Sequence, residues 1–303
     1  MTHSFEYFRS CPICSSSSVF PFKKRTFHPH QLTSEHIKIT DSQYGKHWDL
    51  SLCKNCGHIF ANPCPSPRLI HSLARKIEDP AYEEEAKGRS RNFHRVLSHL
   101  GKIHPEKGIL FDVGAASGLL LNEAQKKGWK AEGIEASRWA VQLAREKYHI
   151  PLKEGYFESA SIKENHCTAV TMVDFIEHIP HPLEAVHKAY QILIPGGTLC
   201  LVTPDIHSTA SHILGSRWWH LRPAHLGYFS IPSLQVLLRR GGFQSFHLRK
   251  YSWTFSLHYI FSRVNLFQFL LKNQGLSSLW KKIPVKLVIG DSLEIYAQKK
   301  GAT

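Results

Sequence analysis

Several absences narrow this chain before anything in it is read. No run of about 18 uncharged apolar residues occurs, so no membrane-spanning helix is expected. Met1 to Ser10 holds no apolar stretch like the one in a secretory leader, and a cytoplasmic location follows as the expectation. The seven cysteines are an odd number, which suits a reducing compartment better than a disulfide framework. Acidic residues are scarce: 24 Asp and Glu face 38 Lys and Arg, a formal charge of +14. That excess suits an anionic partner, whether nucleic acid, a phospholipid surface or a phosphorylated or nucleotide-linked substrate. A generally basic surface is the plainer alternative. Among motifs, the P-loop's Lys-Ser/Thr and the spacing of the dinucleotide fingerprint are both missing.

The chain has 303 residues, 42% of them hydrophobic, enough for a full core and a second small module. Its organising stretch is Ile109 to Gly118, I-L-F-D-V-G-A-A-S-G. The apolar run Ile109–Val113 reads as a strand buried on both faces. Gly114 and Gly118 bracket a tight turn, and the helical pattern that follows would bring backbone N–H groups to a ligand. A second strand, 130–134, ends in Glu135, an acidic group placed to accept two ribose hydroxyls. Strand–helix alternation continues: helix 118–127, helix 137–148, a short strand near 151–154, strand 168–173, helix 182–193, strand 198–203, helix 231–240 and strand 243–250. Such alternation predicts a parallel sheet with helices on both faces, with the ligand at the carboxyl ends of its strands. Residues 287–298 read as the last strand.

Before this core lie two C-x-x-C knuckles, Cys11–Cys14 and Cys53–Cys56, with 38 residues between them. Four thiolates suit a closed structural zinc site. The alternatives are a disulfide pair and four unconnected thiols. His58 is expected at the surface and Cys64 as a bystander. Two helices are expected between Arg68 and Leu100, joining the ribbon to the core and lidding the ligand site.

Four pieces in order resemble the class I S-adenosylmethionine-dependent methyltransferases. They are the glycine turn, the strand ending in Glu135, Val173-Asp174-Phe175-Ile176-Glu177-His178, and Leu193-Ile194-Pro195-Gly196-Gly197. The resemblance spans roughly residues 105 to 250 and implies an α/β, Rossmann-like doubly wound sheet of seven strands, the last antiparallel. It also implies S-adenosylmethionine as cofactor, held by Asp112, Gly114, Ala115, Gly118, Glu135, Phe157 and Asp174. One departure is Ala116, where the family usually has Gly. The run C-x-x-C-G-x-x-F-x-N-P-x-P, Cys53 to Pro65, resembles a subgroup of bacterial methyltransferases with zinc-binding N-termini, sugar methyltransferases among them. Domains are therefore expected at 1–67 (zinc ribbon), 68–104 (helical linker and lid) and 105–303 (core, with an insertion at about 251–285).

In related enzymes an H-L-x-Y-F segment, here His225 to Phe229, contributes substrate contacts. The candidate bases are His225, then His178, then Tyr228, with a rate falling below a histidine pKa near ~6.5. The aromatic, basic insertion, Trp253, Phe255, Tyr259, Phe261, Phe267, Phe269 and Trp280 among its residues, reads as a pocket lid or dimer contact. An amphipathic helix on a membrane or a lipid-linked substrate is the other reading. The leading function is methyl transfer to a sugar, glycan or related metabolite. A quinone- or polyketide-type O-methyltransferase is second. RNA is disfavoured because Asp174-Phe175-Ile176-Glu177 stands where amino-nitrogen methylation of a base uses N/D-P-P-Y/F. A ribbon-bearing binding protein without catalysis is the non-enzymatic alternative. The oligomeric state is not fixed by the sequence.

Overall fold

The computed structural model describes residues 6–263, Leu271 and residues 274–301. Phe267, Phe269 and Lys272 of the insertion lie outside them.

In the N-terminal part, β1 (Glu6–Tyr7) pairs with β5 (Cys64–Pro65), while β2 (Val19–Lys23), β3 (Leu50–Cys53) and β4 (Ile59–Ala61) form an antiparallel meander. Each C-x-x-C makes a tight turn: Ser15 N–H donates to Cys11 O and Gly57 N–H to Cys53 O, both at 2.9 Å. Gly57 takes φ +74° there, a conformation glycine adopts at least cost. Where the pattern predicts two helices there are three: α1 (Pro67–Ala74), α2 (Pro80–Glu84) and α3 (Ala86–Ile103). Ser66 caps α1 by accepting from Leu69 N–H. Pro80 starts α2 because a proline has no N–H to lose at a first turn.

The core sheet is built from β6 (Ile109–Val113), β7 (Lys130–Glu135), β8 (Lys153–Glu154), β9 (Cys167–Val173), β10 (Leu193–Pro204), β12 (Ser245–Lys250) and β15 (Ser292–Gln298). Their order is β12-β15-β10-β9-β6-β7-β8, with β15 antiparallel to both neighbours and β6 to β10 parallel. This is the seven-stranded sheet the sequence predicts. The helices between are α4 (Leu119–Lys126), α5 (Arg138–Tyr148), α6 (Pro182–Ile192), α7 (Thr209–Leu214) and α8 (Ile231–Arg240). Val170, Met172, Leu199 and Leu201 have no exposed surface, which is why these strands read as unbroken apolar runs.

Two segments depart from expectation. The stretch 287–298 is not one strand. Gly290, at φ +71°, separates β15 from β14 (Pro284–Leu287), which pairs with β13 (Trp253–Ser256) instead. With α9 (Leu257–Arg263) and α10 (Gln274–Trp280), this hairpin makes the insertion. The ribbon, in turn, is not a separate sheet. β11 (Gly227–Tyr228), from the loop before α8, adds to β4 with Gly227 opposite Phe60 and Tyr228 opposite Ile59. Trp48, fully buried, donates its indole N–H to Pro223 O at 2.8 Å, and Ala61 N–H reaches Leu226 O at 2.8 Å. His58 is buried, not at the surface: its ring stacks on Phe60 and tilts against Phe229 of the core. Burial and the nearby Arg9 push its pKa down to about 3, so it stays neutral.

Candidate active site

At the carboxyl end of β6 the chain turns through three left-handed residues, Gly114 (φ +70°), Ala116 (+46°) and Gly118 (+77°). The turn is pinned by Glu135 at the tip of β7: Ala116 N–H donates to Oε2 and Ser137 N–H to Oε1, both at 2.8 Å. Asp112 is buried below the turn and accepts from Thr171 Oγ1 at 2.6 Å. Burial pushes its pKa up to about 7, with the threonine bond pulling the other way.

A cavity of about 190 Å³ opens above this turn. Gly114, Ala116, Glu135, Phe157 and Asp174 line it, together with Ile70, His71 and Ala74 of α1. Tyr156 stacks on His71 with ring centroids 3.7 Å apart and donates its hydroxyl to His71 O at 2.8 Å, tying the β8 loop to that lid. Ala115 and Asp112 face a smaller adjoining space. Gly118 lines neither. A Cβ there would sit 3.1 Å from Ala144 of α5, so this glycine serves the turn's φ and close helix packing, not ligand approach.

A second cavity, about 440 Å³, lies on the other side of Asp174 and His178, and both residues line both cavities. Asp174 sits at φ +50° just past β9, and burial raises its pKa to about 7 against the pull of Arg89 and Arg222. Glu177, His178 and His225 cluster in its wall, each offering a ligand atom within 4.8 Å of the others. His178 Nδ1 bonds Ala224 O at 3.0 Å, and the two imidazole rings meet edge to face at 4.8 Å. Leu226 N–H donates to Glu177 O at 2.7 Å, so the loop carrying His225 is stitched to the turn carrying Glu177 and His178. The carboxyl of Glu177 accepts from Thr203 Oγ1 at 3.0 Å, and burial raises its pKa well above the ordinary carboxylate value.

Burial holds His178 at about 3, and burial together with the positive charge of Arg222 holds His225 well below 6.5. The expected titration near 6.5 therefore gives way: this imidazole is neutral throughout the ordinary working range. Tyr228, the third candidate base, lines neither cavity. It is buried among Trp218 and His225 as part of the β4–β11 pairing.

The insertion closes the second cavity with Trp253, Phe255 and Tyr259, stacked in a ladder at 5.7 and 4.8 Å. Ribbon residues Ile39 and Tyr44 line it too. Sequence reasoning missed Arg89 and Arg222. Arg89 is buried on α3 over the Tyr82 ring at 3.9 Å, and borders both the second cavity and the space beside Gly114. Arg222 pairs with Asp41 and the carbonyls of Lys38 and Ile39, joining loop to ribbon. Only the helical periodicity of 86–103, with Arg89 on its buried face, hinted at the first.

The four knuckle cysteines converge: Cys11 Sγ lies 3.5 Å from Cys56 Sγ and Cys14 Sγ 3.5 Å from Cys53 Sγ. All four sulfurs fall within 4.8 Å of one another. Zn–S bonds of ~2.3 Å in a tetrahedron separate sulfurs by about 3.8 Å, so the donor set fits zinc. Cys167 and Cys200 lie in core strands and Cys64 in β5, all buried and outside this cluster.

The profile of a methyltransferase-domain family matches residues 82–248, more than half the chain. The chain is a member of that methyltransferase family. A ubiquinone biosynthesis O-methyltransferase of Alkalilimnicola ehrlichii is 32% identical over 100 residues, 31% of this chain and 40% of the relative. The enzyme of the same name from Salmonella typhi is 28% identical over 156 residues, 46% of this chain and 64% of the relative. The chain thus spans less than two thirds of the length of these curated relatives. Among solved structures, the YcgJ protein from Bacillus subtilis superposes with a TM-score of 0.51 at 15% identity, covering 69% of this chain and all of that one. That likeness speaks to the fold alone. Membership of this family supports S-adenosylmethionine as the cofactor.

Proposed function

We propose that this methyltransferase carries a methyl group from S-adenosylmethionine in the first cavity to a small acceptor, a sugar, glycan or related metabolite, in the second. The observation that carries the reading is the shared wall: Asp174 and His178 border both cavities, so donor and acceptor would meet there. The cofactor supplies an already activated methyl, and the chain's own work is placement, worth up to ~7–11 kcal/mol. Glu135 accepts the ribose hydroxyls, Phe157 covers the adenine, and Gly114 with Ala115 lets the backbone approach the amino-acid part. Asp112 balances its ammonium and Arg89 its carboxylate. His225 and His178 stand on the acceptor side as neutral imidazoles able to take a proton. The four cysteines hold one structural zinc, which keeps the ribbon folded and, through β4 and β11, keeps the His225 loop in place.

Arg222 and Arg263 in the acceptor wall, with the aromatic ladder, suit a ring that bears an anionic group. A quinone-type acceptor is the second reading, favoured by the curated relatives. In that case the exposed Leu276 and Leu279 of the insertion, with Val288 just after it, would face a lipid surface. Among the described residues no helix is long and apolar enough to cross a membrane. Incubation with methyl-labelled cofactor and a panel of free sugars, nucleotide-linked sugars and catechols separates the readings. Label in a sugar fraction supports the first and label in a catechol the second. Cofactor binding with no transfer to any class leaves a binding protein.

A further inference from the structure

The acceptor wall holds three side chains whose arrangement exceeds what a proton acceptor needs. Glu177 Oε1 and His225 Nδ1 are both buried with no hydrogen-bond partner, a costly state for either in a dry wall. One nitrogen of His178 is occupied by a backbone group, its Nδ1 bonding Ala224 O at 3.0 Å. That is the arrangement by which a protein fixes the tautomer of a histidine that ligates a metal, leaving one bare lone pair aimed at the ion. Glu177 is likewise steadied, its second oxygen accepting from Thr203 Oγ1. The three donor atoms lie within 4.8 Å of one another. Around an ion with bonds of ~2.1 Å they would stand about 3 Å apart, so a closure of about 1–2 Å completes the set. Two imidazoles and one carboxylate favour a first-row transition cation such as manganese, iron, cobalt or zinc over magnesium.

We infer that Glu177, His178 and His225 form a divalent-cation site in the acceptor cavity, separate from the thiolate site of the ribbon. It rests on the methyl-transfer reading for its role: three protein ligands leave positions open for the acceptor's hydroxyl beside the wall shared with the cofactor. An acceptor hydroxyl held there would ionise more readily, its proton passing to water. The oxygen's electron pair then forms the new C–O bond as the sulfonium C–S bond breaks to a neutral thioether. The histidines act through the ion, not as free bases.

Manganese is the probe, because its preference for oxygen and nitrogen donors leaves the zinc-loaded thiolate ribbon undisturbed. Titration of the full chain with Mn²⁺, followed by the loss of the free-ion electron paramagnetic resonance signal, should count one bound ion per chain. His225→Ala and Glu177→Gln should each weaken it about tenfold or more. Calorimetric binding of S-adenosylmethionine by both variants confirms that they are folded, and His178→Gln serves should either fail that check. No Mn²⁺ bound by the wild type at millimolar concentration, or equal binding by folded variants, overturns the site and returns His225 and His178 to the role of bases. Bound Mn²⁺ with no methylated product in the acceptor panel would uphold the site and count against the transfer reading instead.

Discussion

Ala116 offers a sharp test of how the cofactor turn is built. Its φ of +46° is a left-handed value, and it stands where the family usually has Gly. For a residue with a Cβ this conformation costs roughly 1–2 kcal/mol. The turn holds it there because Ala116 N–H donates to Glu135 at 2.8 Å and its neighbours Gly114 and Gly118 share the left-handed region. Ala116→Gly removes that cost, but it also frees the unfolded chain, which gives back about 0.4–1 kcal/mol. The net is a stabilisation of roughly 0.5–1 kcal/mol, or a rise in Tm of about 1–2 °C for a chain of this size. Thermal denaturation and urea unfolding of the two proteins, without cofactor, measure it directly. S-adenosylmethionine should bind the variant at least as tightly, since the methyl of Ala116 lines the cavity. A variant less stable by 0.5 kcal/mol or more, on the scale of an ordinary glycine penalty, would refute the reasoning. It would mean that the methyl's packing, not the left-handed strain, dominates at this position.

Other outcomes follow from the same geometry. Glu135→Ala should weaken S-adenosylmethionine binding by about 1.5–3 kcal/mol, because a charged acceptor is lost for both the ribose and the Ala116 and Ser137 N–H groups; an unchanged Kd from calorimetry would remove it from that role. Asp112 has a pKa raised to about 7, so it is protonated below that value and ionised above it. Cofactor affinity should therefore rise from pH 6 to pH 8 as the counter-charge for the ammonium forms, and Asp112→Asn should flatten the profile. Purified chain should carry one zinc, and Cys53→Ser should lose it. Because β4 pairs with β11, that loss should also expose residues 215–229 to limited proteolysis; a protease-resistant loop in metal-free protein would count against the coupling. Trp48→Phe leaves Pro223 O without its buried donor and should cost about 1–3 kcal/mol in urea unfolding while zinc is retained.

How much of this could be read from the chain depends on the range of the interaction concerned. The β6 turn, the β7 tip and the order of the sheet are local: apolar runs, a glycine bracket and an acidic residue at a strand end each express themselves within ten or so residues. The four-cysteine cluster is equally legible because a C-x-x-C turn is set by its own backbone, and the two knuckles only have to meet. The break at Gly290 was not, because Leu287, Val288 and Ile289 continue the apolar pattern of the strand that follows. What separates them is a left-handed residue and a rival partner, Trp253, which pairs with Leu287.

The second cavity shows the limit most plainly. Reading the segment 218–229 as a loop topping a methyltransferase core makes both residues candidates, His225 the first and Tyr228 the third. The pairing of Gly227 with Phe60 and Tyr228 with Ile59 decides between them, across a sequence separation of some 170 residues. It turns Tyr228 into the packing of the ribbon sheet while His225 stays in the cavity wall. No pattern within either segment announces that pairing. His58 is misread for the same reason. Beside a cysteine knuckle it looks like a surface residue, yet the face it occupies is the one the core loop covers, with Phe229 lying 4.7 Å from its ring. The ribbon is thus a wall of the second cavity as much as an appendage: Ile39 and Tyr44 line that cavity, and Arg222 and Arg263 reach from the core to hold the backbone of residues 38–41. Selectivity for the acceptor should accordingly follow substitutions at Ile39 and Tyr44, positions that a division of the chain into ribbon and catalytic core would leave out.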